Sequence, residues 1–224
     1  MPSEEPVPGR PRALLVDYGG VLTTSVTTSF AAFCVANGVS PDRMKELMGA
    51  AYGSDPASAG PDAELIPSIE TGTLATEEFD RRLAAILSEG LAEPLDPTDL
   101  TARMLAQITP DERMIEAVRI ARSHGVRTGL ISNTWSLEAS PSASLDIFDV
   151  RVLSGHEGVR KPQPEIYLRA AARLQVEPSQ CMFVDDFPSN VEGARAAGMT
   201  GILHRDAAIT IPRLEELFGF ALSG

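Results

Sequence analysis

The feature that most constrains the fold is the rhythm of the second half of the chain. From Pro110 onward, short apolar runs alternate with helical stretches. Asp111 to His124 reads as a helix, with Pro110 ahead of its start and Gly125 just past its end. Val126 to Ser132 and Phe148 to Ser154 read as strands. Pro164 to Leu174 is helical, with Ile166, Leu168, Ala170 and Leu174 among its apolar positions. Cys181 to Val184 is a strand, Ser189 to Ala197 a helix ending at Gly198, and Thr200 to Leu203 a last strand. Strand and helix in alternation imply a parallel sheet with right-handed crossovers. One further strand comes from the other end of the chain, where the A-L-L-V run inside Arg12 to Asp17 is closed by an acid.

Residues 25 to 105 differ in kind. Thr28 to Asn37, Pro41 to Met48 and Ala75 to Leu87 carry helical patterns, a loop of small residues (GSDPASAGPD) interrupts them, and no convincing strand occurs. A helical segment inserted after the first strand would sit as a lid over the sheet. The expected fold is therefore α/β: a Rossmann-like parallel-sheet core from residues 12–24 and 106–224, with an inserted helical cap of residues 25–105. Residues 1–11, rich in Pro and Glu, read as a disordered tail.

Composition bounds the function. The 224 residues, 43% of them hydrophobic, suffice for one good core and a smaller lobe. Cys34 and Cys181 lie far apart with no metal-like spacing, and read as reduced thiols. The opening MPSEEPVPGRP places acid and proline where a signal peptide needs positive charge and an apolar stretch. No apolar run approaches the ~20 residues of a membrane helix. A cytoplasmic protein with no membrane partner is expected, either monomer or homodimer. The net charge of -12, with no Lys/Arg cluster, argues against a nucleic-acid partner. The same excess of acid repels anionic substrates, so a site for them needs local positive charge.

Ligands of an open parallel sheet bind beyond the carboxyl ends of its strands. Here the first strand ends in Asp17, the second in Ser132-Asn133, and "CMFVDD" in Asp185-Asp186, while "GVRKPQPEIY" puts Lys161 at the entry to a helix. Asp17 and Asp186 would be close together, and like charges at that range need a counter-ion. Mg²⁺ supplies it, because it takes oxygen ligands and keeps waters that a phosphate can replace. Lys161 adds positive charge and Ser132 a hydroxyl donor. Gly19 and Gly20 leave backbone room beside Asp17 for a tetrahedral anion. The set reads as an electrostatic cradle for a phosphoryl group.

Four segments, "DYGGVL", "LISNTW", "GVRKPQPEIY" and "VDDFPSNVEGARAAGM", resemble the haloacid dehalogenase superfamily in order and spacing, from about residue 12 to 204. The last two are similar to its helical-capped subgroup of sugar-phosphate phosphatases and the phosphatase half of soluble epoxide hydrolase. "IETGTLATEEFDRRLA", residues 69 to 84, resembles that subgroup's cap. The resemblance implies that Asp17 is the nucleophile, forming an aspartyl-phosphate that water hydrolyses. It implies that Asp17 and Asp186 bind Mg²⁺ through side chains and Gly19 through its carbonyl, with Asp185 as their outer partner. Ser132 and Lys161 would serve the transferring group, with Gly20 and Asn133 beside the substrate. The substrate would be a small phosphorylated molecule. Two other readings stand: a metal-independent dehalogenase using the same Asp17, and a non-catalytic phosphometabolite-binding protein.

One position departs from the pattern. Most phosphatases of the superfamily carry a second aspartate two residues after the nucleophile, which protonates the leaving oxygen, and this chain has Gly19. Such assistance is typically worth ~10²–10⁴-fold, or roughly 3–5 kcal/mol of barrier. Three accounts stay open: a cap residue such as Glu64, Glu70, Glu77 or Glu78 or a water supplies the proton; the leaving group needs none; or turnover is slow or absent. Arg160 reads as a surface charge, Trp135 as core or ligand-facing, and Asn190 as a holder of Asp17 or Lys161 or a simple helix cap.

Overall fold

The structure, a computed structural model, describes residues 10–52, 62–135 and 146–223. Most of the expected tail and of the GSDPASAGPD loop lies outside the described residues. Among the described residues, five parallel strands form one sheet in the order β3-β2-β1-β4-β5. They are β1 (Ala13–Val16), β2 (Arg127–Ser132), β3 (Val150–Leu153), β4 (Cys181–Asp185) and β5 (Thr200–Leu203). The chain winds outward from β1 through β2 to β3, then crosses to the other side of β1 for β4 and β5. That reversal makes the β1/β4 boundary the switch point, where the carboxyl ends open a crevice.

All of β1 is buried, and its side chains alternate between the two faces as a strand requires. Leu14 and Val16 join Leu130, Met182 and Val184 in a core with Val118 of α6 (Glu112–Ser123) and Leu214 of α10 (Ala207–Phe218). Ala13 and Leu15 join Ile131 and Phe183 on the other face, under Ile166 and Tyr167 of α8 (Pro164–Leu174) and Ala194 of α9 (Pro188–Ala196). Asp111 caps α6, its Oδ1 accepting from the backbone N–H groups of Arg113 and Met114 at 3.0 and 3.2 Å.

Between β1 and α6 the described residues form five helices: α1 (Val26–Ala36), α2 (Pro41–Tyr52), α3 (Leu65–Glu70), α4 (Thr76–Leu87) and α5 (Leu100–Leu105). They share a core of their own, in which Phe30, Met48, Phe79, Leu83 and Met104 are buried. Trp135, just past β2, enters this core and touches Phe30 and Phe79 at ring-centroid distances of 5.1 Å. Helix α2 runs four residues beyond the expected Met48, and β3 starts at Val150 rather than Phe148. Helices α3, α5, α10 and the short α7 (Ser154–Glu157) are additions to the sequence reading. Cys34 and Cys181 are free and buried.

Candidate active site

Register delivers the site. Val16 stands level with Leu130 on one side and Val184 on the other, so the next residue, Asp17, falls beside the ends of β2 and β4. Its N–H donates to the Val184 carbonyl at 2.9 Å, which ties the strand end to β4. Lys161 reaches in from the loop before α8. Its ammonium donates to Asp17 Oδ1 at 2.6 Å, to Asp185 Oδ2 at 2.7 Å and to the Ile131 carbonyl at 3.0 Å. Those three bonds use all its protons, and the side chain is 1% exposed.

Asp185 is fully engaged. Besides Lys161 it accepts from the Phe187 N–H at 2.8 Å and from the Asn190 amide at 3.0 and 3.1 Å. Asn190 therefore holds Asp185, rather than Asp17 or Lys161. Oxygens of Asp17, Asp185 and Asp186 lie within 4.8 Å of one another. Asp186 Oδ1 is buried with no hydrogen-bond partner in the protein.

Three carboxylates thus face one ammonium. Burial pushes Asp17 up to about 7, against the pull of Lys161 and with the added push of Asp185. Burial, then Asp17 and Asp185, push Asp186 up to about 8. Burial alone would lower Lys161, yet Asp17 and Asp185 together raise it. Proton retention is how a buried cluster relieves unmatched negative charge when no cation does so. A hard divalent cation fits this donor set: all oxygen, net negative, with an orphaned carboxylate oxygen available on Asp186.

The other expected residues fall as follows. Ser132 and Asn133, at the end of β2, line a cavity of about 400 Å³ that opens on Asp17 and Lys161. Asn133 is committed to the frame: its Oδ1 accepts from the Lys161 N–H at 2.9 Å, and its amide donates to the Lys161 carbonyl and to Glu70 Oε2, both at 3.2 Å. The two glycines do not leave open room beside Asp17. A Cβ at Gly20, where φ is +78°, would meet Asp186 Oδ2 at 2.3 Å, so that space holds the carboxylate. A Cβ at Gly19 would meet Val26 Cγ2 at 2.6 Å, so that space holds a side chain of α1. Glu77 and Glu64 are exposed, and Glu78 pairs with Arg82 at 2.5 Å; none of them lines the cavity.

A second buried cluster was not foreseen. Arg160, expected on the surface, is 9% exposed and pairs through Nε with Glu70 Oε2 at 2.5 Å. Glu70 ends α3 and is itself fully buried; it also accepts from Trp135 Nε1 at 3.0 Å and from the Tyr52 hydroxyl. Arg160 Nη1 donates to the Ala51 carbonyl at 3.2 Å, and the guanidinium lies 4.8 Å from the Tyr52 ring centre. This cluster binds the helices α2 and α3 to the loops after β2 and before α8. A detectable signal existed in the acid that closes the mostly apolar LIPSIE stretch.

A parallel α/β sheet with an acid–lysine centre at its switch point is one class of hydrolytic scaffold, and comparison narrows it. The model of haloacid dehalogenase-like hydrolases matches residues 11–198. Mouse acyl-CoA dehydrogenase family member 10 is 30% identical over 214 residues, covering 94% of this chain and 19% of that protein. Phosphatase MT3486 of Mycobacterium tuberculosis is 35% identical over 136 residues, covering 58% of this chain and 62% of that one. A predicted HAD-like family hydrolase from Porphyromonas gingivalis superposes with a TM-score of 0.64 at 24% identity, covering 93% and 98% of the two chains. The chain belongs to the haloacid dehalogenase-like hydrolase family. It spans about a fifth of the mouse protein and about three-fifths of the mycobacterial phosphatase. Among the described residues no helix is long and apolar enough to cross a membrane.

Proposed function

We propose that the protein is a Mg²⁺-dependent phosphatase of small phosphorylated molecules, acting through Asp17, with the helices of residues 25–105 as a cap over the sheet edge. The observation that carries this reading is the unmatched charge: three clustered carboxylates, one lysine, and an Asp186 oxygen with no partner. The name of the mycobacterial relative supports phosphate as the group removed. A metal-independent dehalogenase would have no use for the unpartnered oxygen of Asp186.

Asp17 and Asp186 would hold the metal through their carboxylates, together with the Gly19 carbonyl. Bound Mg²⁺ neutralises charge and polarises a phosphoryl oxygen. Asp17 attacks phosphorus and takes the phosphoryl group, which water then removes. Lys161 fixes the Asp17 carboxylate by the 2.6 Å bond to Oδ1 and offsets charge on the transferring group. Asp185 and Asn190 hold the ammonium in place, Asn133 holds the Lys161 backbone, and Ser132, at the end of the neighbouring β2, would donate to the phosphoryl group. Asp17→Asn is expected to reduce Mg²⁺-dependent phosphate release to background, with beryllofluoride binding lost as well. Turnover that persists in this variant removes Asp17 as nucleophile. Binding of beryllofluoride by the unaltered protein, with no turnover of any phosphate, would instead mark a phosphometabolite-binding protein.

A further inference from the structure

Among the described residues that line the cavity beside Asp17, charge is confined to Asp17 and Lys161. The cavity's far wall is Val26, Phe30, Met48, Tyr52 and Leu105 from the helical segment, with Phe187 from the sheet side. Among the described lining residues, Asp17 and Lys161 are the only carboxyl, imidazole, guanidinium or ammonium groups. The Tyr52 hydroxyl is turned to Glu70, and the Asn133 amide to Glu70 and Lys161. Tyr18, Ser132, Thr134 and Asn190 add polar groups to the lining; Thr134 Oγ1 is taken by the Gly155 N–H, and Asn190 Oδ1 stays unpartnered. The lining that the helical segment contributes is hydrocarbon and aromatic rings. A polyhydroxylated body would leave hydroxyls buried without partners there, which selects against it.

A second observation concerns the leaving oxygen. Position 19 carries no acid, and the volume a side chain would take is filled by the Val26 isopropyl group, 2.6 Å from an ideal Cβ. Glu70, the one buried glutamate of the helical segment nearby, is held by Arg160, Trp135, Asn133 and Tyr52 and does not line the cavity. Helix α1 has closed over the place where a proton donor would stand.

We infer that the substrate is an apolar monophosphate whose leaving oxygen is weakly basic, an aryl phosphate or an acyl phosphate. The inference rests on the phosphatase reading and names its substrate class. In the step concerned, the Asp17 carboxylate oxygen forms a bond to phosphorus as the bond to the leaving oxygen breaks. The electron pair departs with that oxygen as a phenolate or carboxylate, stable in water without a proton from the protein. An alkyl alcohol phosphate must expel an alkoxide, which does need one.

The test uses the full chain with Mg²⁺ and two substrate series. In the first, 4-nitrophenyl, phenyl and benzyl phosphate vary leaving-oxygen basicity on one aromatic frame. The expected kcat/KM falls about 10²-fold or more from the first to the last. In the second, benzoyl phosphate is set against acetyl phosphate, and phenyl phosphate against glucose 6-phosphate; the apolar member is expected to lead by about tenfold or more in each pair. The double substitution G19D/V26A opens the space and restores an acid, and is expected to raise benzyl phosphate turnover toward that of the aryl substrates. The unaltered protein's two series decide the matter even if this variant does not fold. A flat first series, or glucose 6-phosphate ahead of phenyl phosphate, overturns the substrate class while leaving Asp17 chemistry intact. No Mg²⁺-dependent release from 4-nitrophenyl or benzoyl phosphate above the Asp17→Asn background overturns the phosphatase reading and this inference with it.

Discussion

Two consecutive residues, Arg160 and Lys161, build two buried ionic clusters of opposite design. The Arg160 cluster is balanced: one guanidinium meets one carboxylate, Glu70, whose two oxygens are further bonded by Trp135, Tyr52 and Asn133. The Lys161 cluster is unbalanced: one ammonium meets Asp17 and Asp185, with Asp186 beside them. Matched charge joins elements: one nitrogen of Arg160, Nη2, is left without a partner, but the guanidinium and the Glu70 carboxylate cancel. Unmatched charge at the same depth demands a ligand. In the proposed reading, the contrast separates a residue that clasps from one that serves the reaction, although both are buried cations one position apart.

The sharpest way to break this contrast is to unbalance the first cluster. Glu70→Gln leaves Arg160 buried without its counter-charge, and is expected to cost about 3–5 kcal/mol of stability in urea unfolding. The double change E70M/R160M removes both charges, and is expected to recover most of that loss. A Glu70→Gln protein as stable as the parent would mean that the pair is not a clasp.

The unbalanced cluster should respond to metal instead. Mg²⁺ at 100 times its Kd is expected to stabilise the protein by about 2.7 kcal/mol, read as a rise in Tm. The pH dependence follows from Asp17 at about 7 and Asp186 at about 8, each above the ordinary carboxylate value of 3.8. The folded state holds these protons more tightly than the unfolded chain. Their contribution to metal-free stability is therefore complete below about pH 4 and lost as pH rises through 7 and 8. Mg²⁺ competes with the same protons, so its Tm gain should be small at pH 5–6 and reach a plateau above 8. A gain independent of pH would place the metal elsewhere.

The smallest expected effect is the most discriminating. Asp186→Asn removes one of the surplus charges, and is expected to stabilise the metal-free protein by about 1–2 kcal/mol near pH 8. The same variant should lose the Mg²⁺ response. Glu70→Gln, by contrast, should never stabilise. A single table of unfolding energies for these variants would separate the two clusters.

The residues at the sheet edge were legible because each closes a short apolar run, and parallel topology sends every such end to the same side. Asp17, Ser132, Asp185 and Asp186 needed only that rule, and Lys161 only its place before a helix. Register then completes the picture, since Val16 levels with both Leu130 and Val184. What escaped did so for physical reasons. Helices α3 and α5, six residues each, are too short to display a helical period. Pro212 interrupts α10 and hides it. Glu70 and Arg160 stand 90 positions apart, and each charged side chain taken alone belongs on a surface. The glycines mislead most: a missing side chain reads as free space, and only three dimensions reveal that Val26 and Asp186 have filled it.

The central claim is that Asp17 and Asp186 together bind a divalent cation, in competition with protons on the same carboxylates. Calorimetric titration of Mg²⁺ near pH 7, repeated in buffers of different ionisation enthalpy, counts ions bound and protons released together. One Mg²⁺ per chain with net proton release, both abolished in Asp186→Asn, is the predicted result. Absence of Mg²⁺ binding, or binding without proton release and indifferent to Asp186→Asn, would contradict it.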